Sequence, residues 1–439
     1  MSLTGLAAGF SAGKITKISS DLTIAGAASD GFLFFDAITA SGLTVTTGTI
    51  QNFNADSIDV QKFTFDGAAS TSTTNSASVG LGFVTASSTI TISLGQGTGL
   101  VSAAGLHTQG SITLDGSNFD GTVNIPNISG SGVTISMGSN GFFSASSVQS
   151  NKAFTLDGSD AASSQVGLGL VEASTDLTIS LGSGSGTLTV GGSNPGLSAG
   201  GALVIDASKG SANLHIFSVT ASGATISLGA DGYFSATDVR VGEGGFTMDG
   251  AVATSATIVA QSISSSAALT ISLGAGSGAV VVTALDTQGA FTLDSSNSKA
   301  TIDIQSISAS GISIVTGAQG DFSANAIVSD NNMVIDASNA ATDIVGFVSD
   351  DPYERFEIQS DGALTAAEVG MNADIVYAAG ASPNYVSKVE LDHSDLKTAT
   401  AQLRVIGISK DPANNEAGAA DVNAVVIINE HFLKGTVGV

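Results

Sequence analysis

Seven aspartates close copies of one short phrase: FTFDG, ITLDG, FTLDG, LVIDA, FTMDG, FTLDS and MVIDA, ending at or just after Asp66, Asp115, Asp157, Asp206, Asp249, Asp294 and Asp336. The steps between them are 49, 42, 49, 43, 45 and 42 residues. If strands stacked in register, these carboxylates would form a ladder, and calcium favours such oxygen ligands. The Gly-Gly-x-Gly-x-Asp nonapeptide of calcium-binding β-rolls is absent. The simpler reading is that each Asp takes the first position of a turn and accepts a hydrogen bond from its own backbone before a small residue. No metal site and no cofactor are expected.

Other chemistry finds little footing. Glycoside hydrolysis needs two carboxylates flanking a cleft, and no local pair stands out. Aromatic platforms for sugars are scarce, since the chain has no Trp and 4 Tyr. His107, His215, His393 and His431 lack zinc-ligand spacing. With no Cys, thiolate chemistry and disulfides are excluded. GSGSG at 182–186 matches a nucleophile elbow by letters alone and reads as turn glycine. GLGFV and GLGLV lack the Lys of a phosphate-binding loop. Thr-Ile-Ser-Leu places Thr and Ser on one strand face, as in the hydroxyl arrays of ice-binding solenoids, but a solvated outer face explains it equally. No catalytic residue is assigned, and the chain is expected not to be an enzyme.

Composition narrows the partners. The chain has 439 residues, 42 % apolar, with 12 % charged and mean hydropathy +0.34. That is too apolar for a disordered chain. Net charge is −25 with only 13 Lys and Arg, and the pI is near 4.1. Direct nucleic-acid binding needs clustered cations, and anionic membranes are disfavoured for the same reason. No apolar run approaches the ~18 residues of a membrane helix. The first twenty residues lack the basic region of a conventional secretory signal.

The elements that would position any site come from the repeats. A second phrase, typified by LTISLG, ends at Gly48, Gly95, Gly138, Gly182, Gly229, Gly274 and Gly317. The two phrases interleave, so one unit is about 22 residues and a pair about 45. ASG or GSG precedes alternate copies, at 41–42, 130–132, 221–223 and 309–311, giving a larger period of about 90 residues. Within each phrase apolar and polar residues alternate, the signature of a half-buried strand. Coils of this length with Gly-containing turns predict an all-β solenoid of about 14 or 15 layers. Phe63, Phe65, Ile112, Leu114, Phe154, Leu156, Phe246 and Phe291 are the expected core. A tandem array of small sandwiches, or strands shared among three chains, are the other arrangements the pattern allows.

Composition changes near 345–352, at SDDP. Three of the five prolines and six of the 13 basic residues lie beyond it. The domains are therefore set at 1–347, the repeat region, and 348–439, a small β-barrel or sandwich. VGMNADIVYAAG (369–380), Gln402–Gly407, Asp411–Asn415 and Val425–His431 resemble the C-terminal domain of head decoration and head structural proteins of tailed bacteriophages. The resemblance covers about 75 residues. It implies attachment to the virion exterior, docked on the major capsid protein; the long repeat region, extra relative to short members, suggests a projecting head fibre, for whose outer end host surface glycan is a candidate partner. It also implies synthesis in the host cytoplasm and self-association, with a trimer suiting a head site. Arg404, Asn429 and His431, polar residues in or beside apolar strands, are candidate capsid contacts; satisfying backbone groups inside the domain is their alternative role. Rival functions are a cell-surface adhesin or surface-layer protein, and a β-helical tailspike that binds or cleaves polysaccharide.

Overall fold

The computed structural model describes residues 1–6, 10–26, 31–47, 51–67, 78–191, 196–317, 320–336, 353–377, 389–398, 401–410 and 415–429. It divides into two units, Met1–Thr342 and Asp343–Val439.

The first unit is a β-solenoid of about 14 turns with coils of about 22 residues. Its register can be followed through the chain. Phe10 pairs with Leu33, Leu33 with Phe53, Phe53 with Val79, and the parallel ladder continues upward to Phe322. Every partner lies one coil away in the same chain. Neither separate sandwiches nor strands borrowed from other chains are needed to complete the ladders.

Each coil has three faces. Asn213–Leu228 alternates exposed and buried residues strictly, except at Phe217–Ser218 and Ser222–Gly223, where two outward residues follow one another. An extra outward residue keeps the next inward side chain on the core side while the chain turns a corner. The first face buries Leu214 and Ile216, the second Val219 and Ala221, the third Ala224 and Ile226. The expected core residues lie there too: Phe63, Phe65, Ile112, Leu114, Phe154, Leu156, Phe246 and Phe291 are all at most 2 % exposed. Phe35, Phe53 and Phe65 stack at ring-centroid distances of 5.8 and 5.9 Å.

Shelter comes from the adjacent layer. Ile312 and Ile314 are 3 % and 0 % exposed, whereas their partners on the last described coil, Met333 and Ile335, are 54 % and 43 %. The glycine ending the LTISLG phrase reflects the same closeness. A Cβ on Gly274 would stand 2.0 Å from the Ala253 carbonyl oxygen, and one on Gly182 would stand 1.7 Å from that of Ala161. The neighbouring loop's backbone already fills the space a methyl would need.

The second unit is built from antiparallel sheets. Phe356–Gln359, Asn423–Ile428, Leu403–Ile408 and Asn372–Ala373 form one sheet in that spatial order. Ile375–Val376 pairs with Glu390–Leu391. A small core of Leu364, Ala373, Leu391, Leu403, Val405, Val422, Ala424 and Val426 underlies them. TAAEVGMNA, readable in sequence as a short helix or a turn, contains the 3-10 turn Ala366–Glu368.

Two substitutions test the stacking account. Phe154→Ala should lower stability by about 3–5 kcal/mol, as for other buried phenylalanines. Gly274→Ala should lower the urea midpoint clearly. Gly311→Ala should leave it nearly unchanged, because the nearest atom to a Cβ there is 3.6 Å away.

Candidate functional site

Outward residues form columns as regular as the core. On the third face Thr23, Thr44, Thr64, Thr91, Thr113, Thr134, Thr155 and Thr178 stand in unbroken succession. Two positions further along each strand the column reads Asp66, Ser93, Asp115, Ser136, Asp157, Ser180, Asp206, Ser227, Asp249, Ser272, Asp294. Carboxylates therefore recur every second coil, roughly 10 Å apart at the usual strand spacing. A serine hydroxyl separates each pair.

Five of these aspartates are engaged by their own turns. Asp115 Oδ1 accepts from Ser117 N at 3.1 Å, Asp157 from Ser159 N at 3.0 Å, and Asp206 from Ser208 N at 3.0 Å. Asp249 accepts from Ala251 N at 2.9 Å and Asp294 from Ser296 N at 3.0 Å. Hydrogen bonds from the Ser159 hydroxyl and amide, with the charge of Lys209, hold the Asp157 carboxyl below its usual range. Among the described residues no three Asp, Glu or His side chains group as metal ligands. The column's chemistry is that of turn closure.

Concavity lies elsewhere, at the corner between the second and third faces. One groove of about 490 Å³ is lined by Thr39, Asp59, Thr85 and His107 from the second face and by Gln61 and Gln109 from the corner. A second, of about 390 Å³, is lined by Thr220, Arg240, Ser264 and Asp286 with Gln288. Both occupy the same columns. Thr39 pairs with Asp59, Asp59 with Thr85, Thr85 with His107, and continuing the ladder leads in eight steps to Thr220. Unequal corners create the relief. Only Ser41 and Gly42 separate the buried Ala40 and Leu43, whereas Ser87, Ser88 and Thr89 separate Ala86 from Ile90. The shorter corner is cut back beneath its taller neighbours. The signal available in the sequence was ASG at 40–42 and 221–223 with TQG at 108–110 and 287–289.

The histidines are dispersed. His107 lies in the first groove. His215 lies 5.1 Å from the Tyr233 ring centroid, with Nδ1 3.0 Å from Ser235 Oγ. His393 sits in the second unit with Nε2 3.3 Å from Glu368 Oε1. Hydrogen bonds from the Thr365 amide and hydroxyl keep Glu368 below its usual range, with His393 adding to the effect.

Of the three candidate capsid contacts, Arg404 is exposed and its Nε donates to Asn372 Oδ1 at 3.2 Å. Asn429 donates through Nδ2 to the Ala401 carbonyl at 3.1 Å and through its amide to the Gln402 carbonyl at 2.8 Å. His431 lies outside the described residues. Nearby, the Lys397 ammonium sits 2.6 Å from Asp395 and 2.9 Å from Asp374. Those carboxylates push its pKa up, and the Lys397 ammonium, with the Gln402 amide, holds Asp374 below its usual range.

The Asp157 turn has a pH signature. A depressed folded-state pKa contributes stability that is complete above the unfolded value, about 4, and lost as pH falls through the folded one. Asp157→Asn removes the charge and keeps an acceptor. Its unfolding midpoint should lie slightly below that of the parent at pH 7, by under about 1 kcal/mol. The gap should close below about pH 3.

No family model, no curated protein and no solved structure matches this chain.

Proposed function

We propose that the chain is a non-enzymatic structural protein of a tailed-phage virion, a head decoration protein of the head-fibre type. Its second unit docks on the major capsid protein, and its solenoid serves as the projecting part. The observation that carries the reading is the uninterrupted ladder from Phe10 to Phe322. Fifteen hydrogen-bonded layers in one chain make a stiff rod of about 70 Å at the usual strand spacing. The resemblance of Gln402–Gly407 and Val425–His431 to head decoration proteins supplies the setting. Many weak lattice contacts then add through multivalency, and a trimer matches a closed head site. Arg404, an exposed residue whose Nε is held by Asn372, is the described side chain offered to the shell, while Asn429 is committed to backbone groups of its own unit. Such a protein is made in the host cytoplasm and resides on the capsid exterior.

A second reading, a tailspike-like glycan binder, is favoured by one observation: the pair of polar corner grooves.

Capsids stripped of this protein should retain the full chain and residues 343–439, and should not retain residues 1–342. Binding through 1–342 alone would reverse the proposed polarity. Incubation with purified bacterial surface polysaccharides should leave their chain length unchanged; new reducing ends would make the protein a depolymerase.

A further inference from the structure

The two grooves share more than a location. In the first, the buried Thr108 hydroxyl donates to the Ser88 carbonyl at 2.9 Å and accepts from Gly110 N at 3.1 Å. In the second, the buried Thr287 hydroxyl donates to the Ala267 carbonyl and accepts from Gly289 N at 3.2 Å. Each threonine thus ties its corner to the coil beneath and to the glycine ahead. The glutamine between, Gln109 or Gln288, is exposed at the groove's rim. Gly110 has no room for a side chain, since a Cβ would lie 1.4 Å from the Ser88 carbonyl oxygen. In both grooves the ASG corner lies three coils before the TQG corner. The same device is therefore built twice, eight coils apart, with 181 positions between the ASG corners and 179 between the TQG corners.

We propose that these two grooves bind a single linear polysaccharide, with Gln109 and Gln288 as the principal contacts. The lining chemistry selects this class. Amides and hydroxyls present donors and acceptors side by side, which suits the vicinal hydroxyls of a sugar. A peptide strand would need unpaired backbone at a sheet edge, but the strands walling the grooves are paired on both sides. A nucleic acid would need clustered cations. The first groove has Asp59 and His107, and Arg240 in the second is 2.7 Å from Asp238. Shape agrees as well. The first groove runs from Ser19 across successive coils to His107, four spacings along the axis. A pyranose ring extends about as far as one spacing of ~4.8 Å, so this groove holds about four sugars. The two grooves lie roughly 38 Å apart along one corner at that spacing, and a long chain reaches both. Each site is weak without aromatic platforms, and the pair gains by avidity.

The proposal does not depend on capsid docking, and its test is separate. The full chain would be applied to a printed array of linear bacterial capsule and O-antigen polysaccharides, and a captured glycan titrated by calorimetry. Gln109→Ala and Gln288→Ala should each weaken binding of the long chain about tenfold through lost avidity, and the double variant should abolish it. Thr85→Trp, which fills the first groove, should act like Gln109→Ala. Gln165→Ala, on the first face, should bind as the parent does. All variants should keep the parent's melting temperature and its retention on stripped capsids. Failure of the array to capture any glycan would overturn the proposal. So would unchanged affinity in the double variant, or capture of a peptide or DNA that the double variant abolishes.

Discussion

The spacing between stacked strands governs this molecule. Each coil contributes a thin layer of apolar side chains that cannot be dry alone, and the layers above and below complete its enclosure. Ile314, with described strands on both sides, is fully buried, while its partner Ile335 on the last described coil is 43 % exposed. Because the neighbour is always another coil, every coil meets the same environment and is held to the same inward residues. The fixed spacing also brings loops together. Gly182 and Gly274 are glycine because the adjacent carbonyl leaves no space for a Cβ.

Freedom is left at the corners. The faces are held to strict alternation, but a corner need only turn the chain and satisfy its polar groups. Corners of two, three or four residues follow one another between the second and third faces. Buried hydroxyls such as Thr108, Ser150 and Thr287 absorb the resulting backbone irregularity by bonding nearby carbonyls. Two grooves lie along that line. A rigid scaffold with variable connections is a general route to binding sites.

Much of the solenoid was legible because burial imposes a period of two on the strands and a period of about 22 on the coils. Phe63, Leu114 and Phe291 were identifiable as core from alternation alone. Asp-Gly and Asp-Ser were identifiable as turns from side-chain chemistry, and Asp115 and Asp294 bond as that chemistry requires. The grooves were not legible. Gln109 and Gln288 read as ordinary polar turn residues, since concavity depends on how one corner's length compares with those of corners 20 or more residues away. Nor did the sequence reveal that Thr91 and Thr113 share a column. That depends on register, which a repeat period bounds without assigning. In the second unit short strands of mixed composition left less pattern to read, and Asn429's bond to Ala401 spans 28 residues.

The alternation of Asp and Ser along the third face bears on how such a solenoid can change length. Removing a serine coil would bring two carboxylates to adjacent rungs, at ~4.8 Å, where facing like charges destabilise a sheet, whereas removing an aspartate coil would bring two serines together. Removing two would restore the sequence of charges. Gain or loss of a coil pair preserves the alternation, whereas gain or loss of a single coil breaks it. The 45-residue period is the smallest segment whose addition keeps the phase of charge along the solenoid.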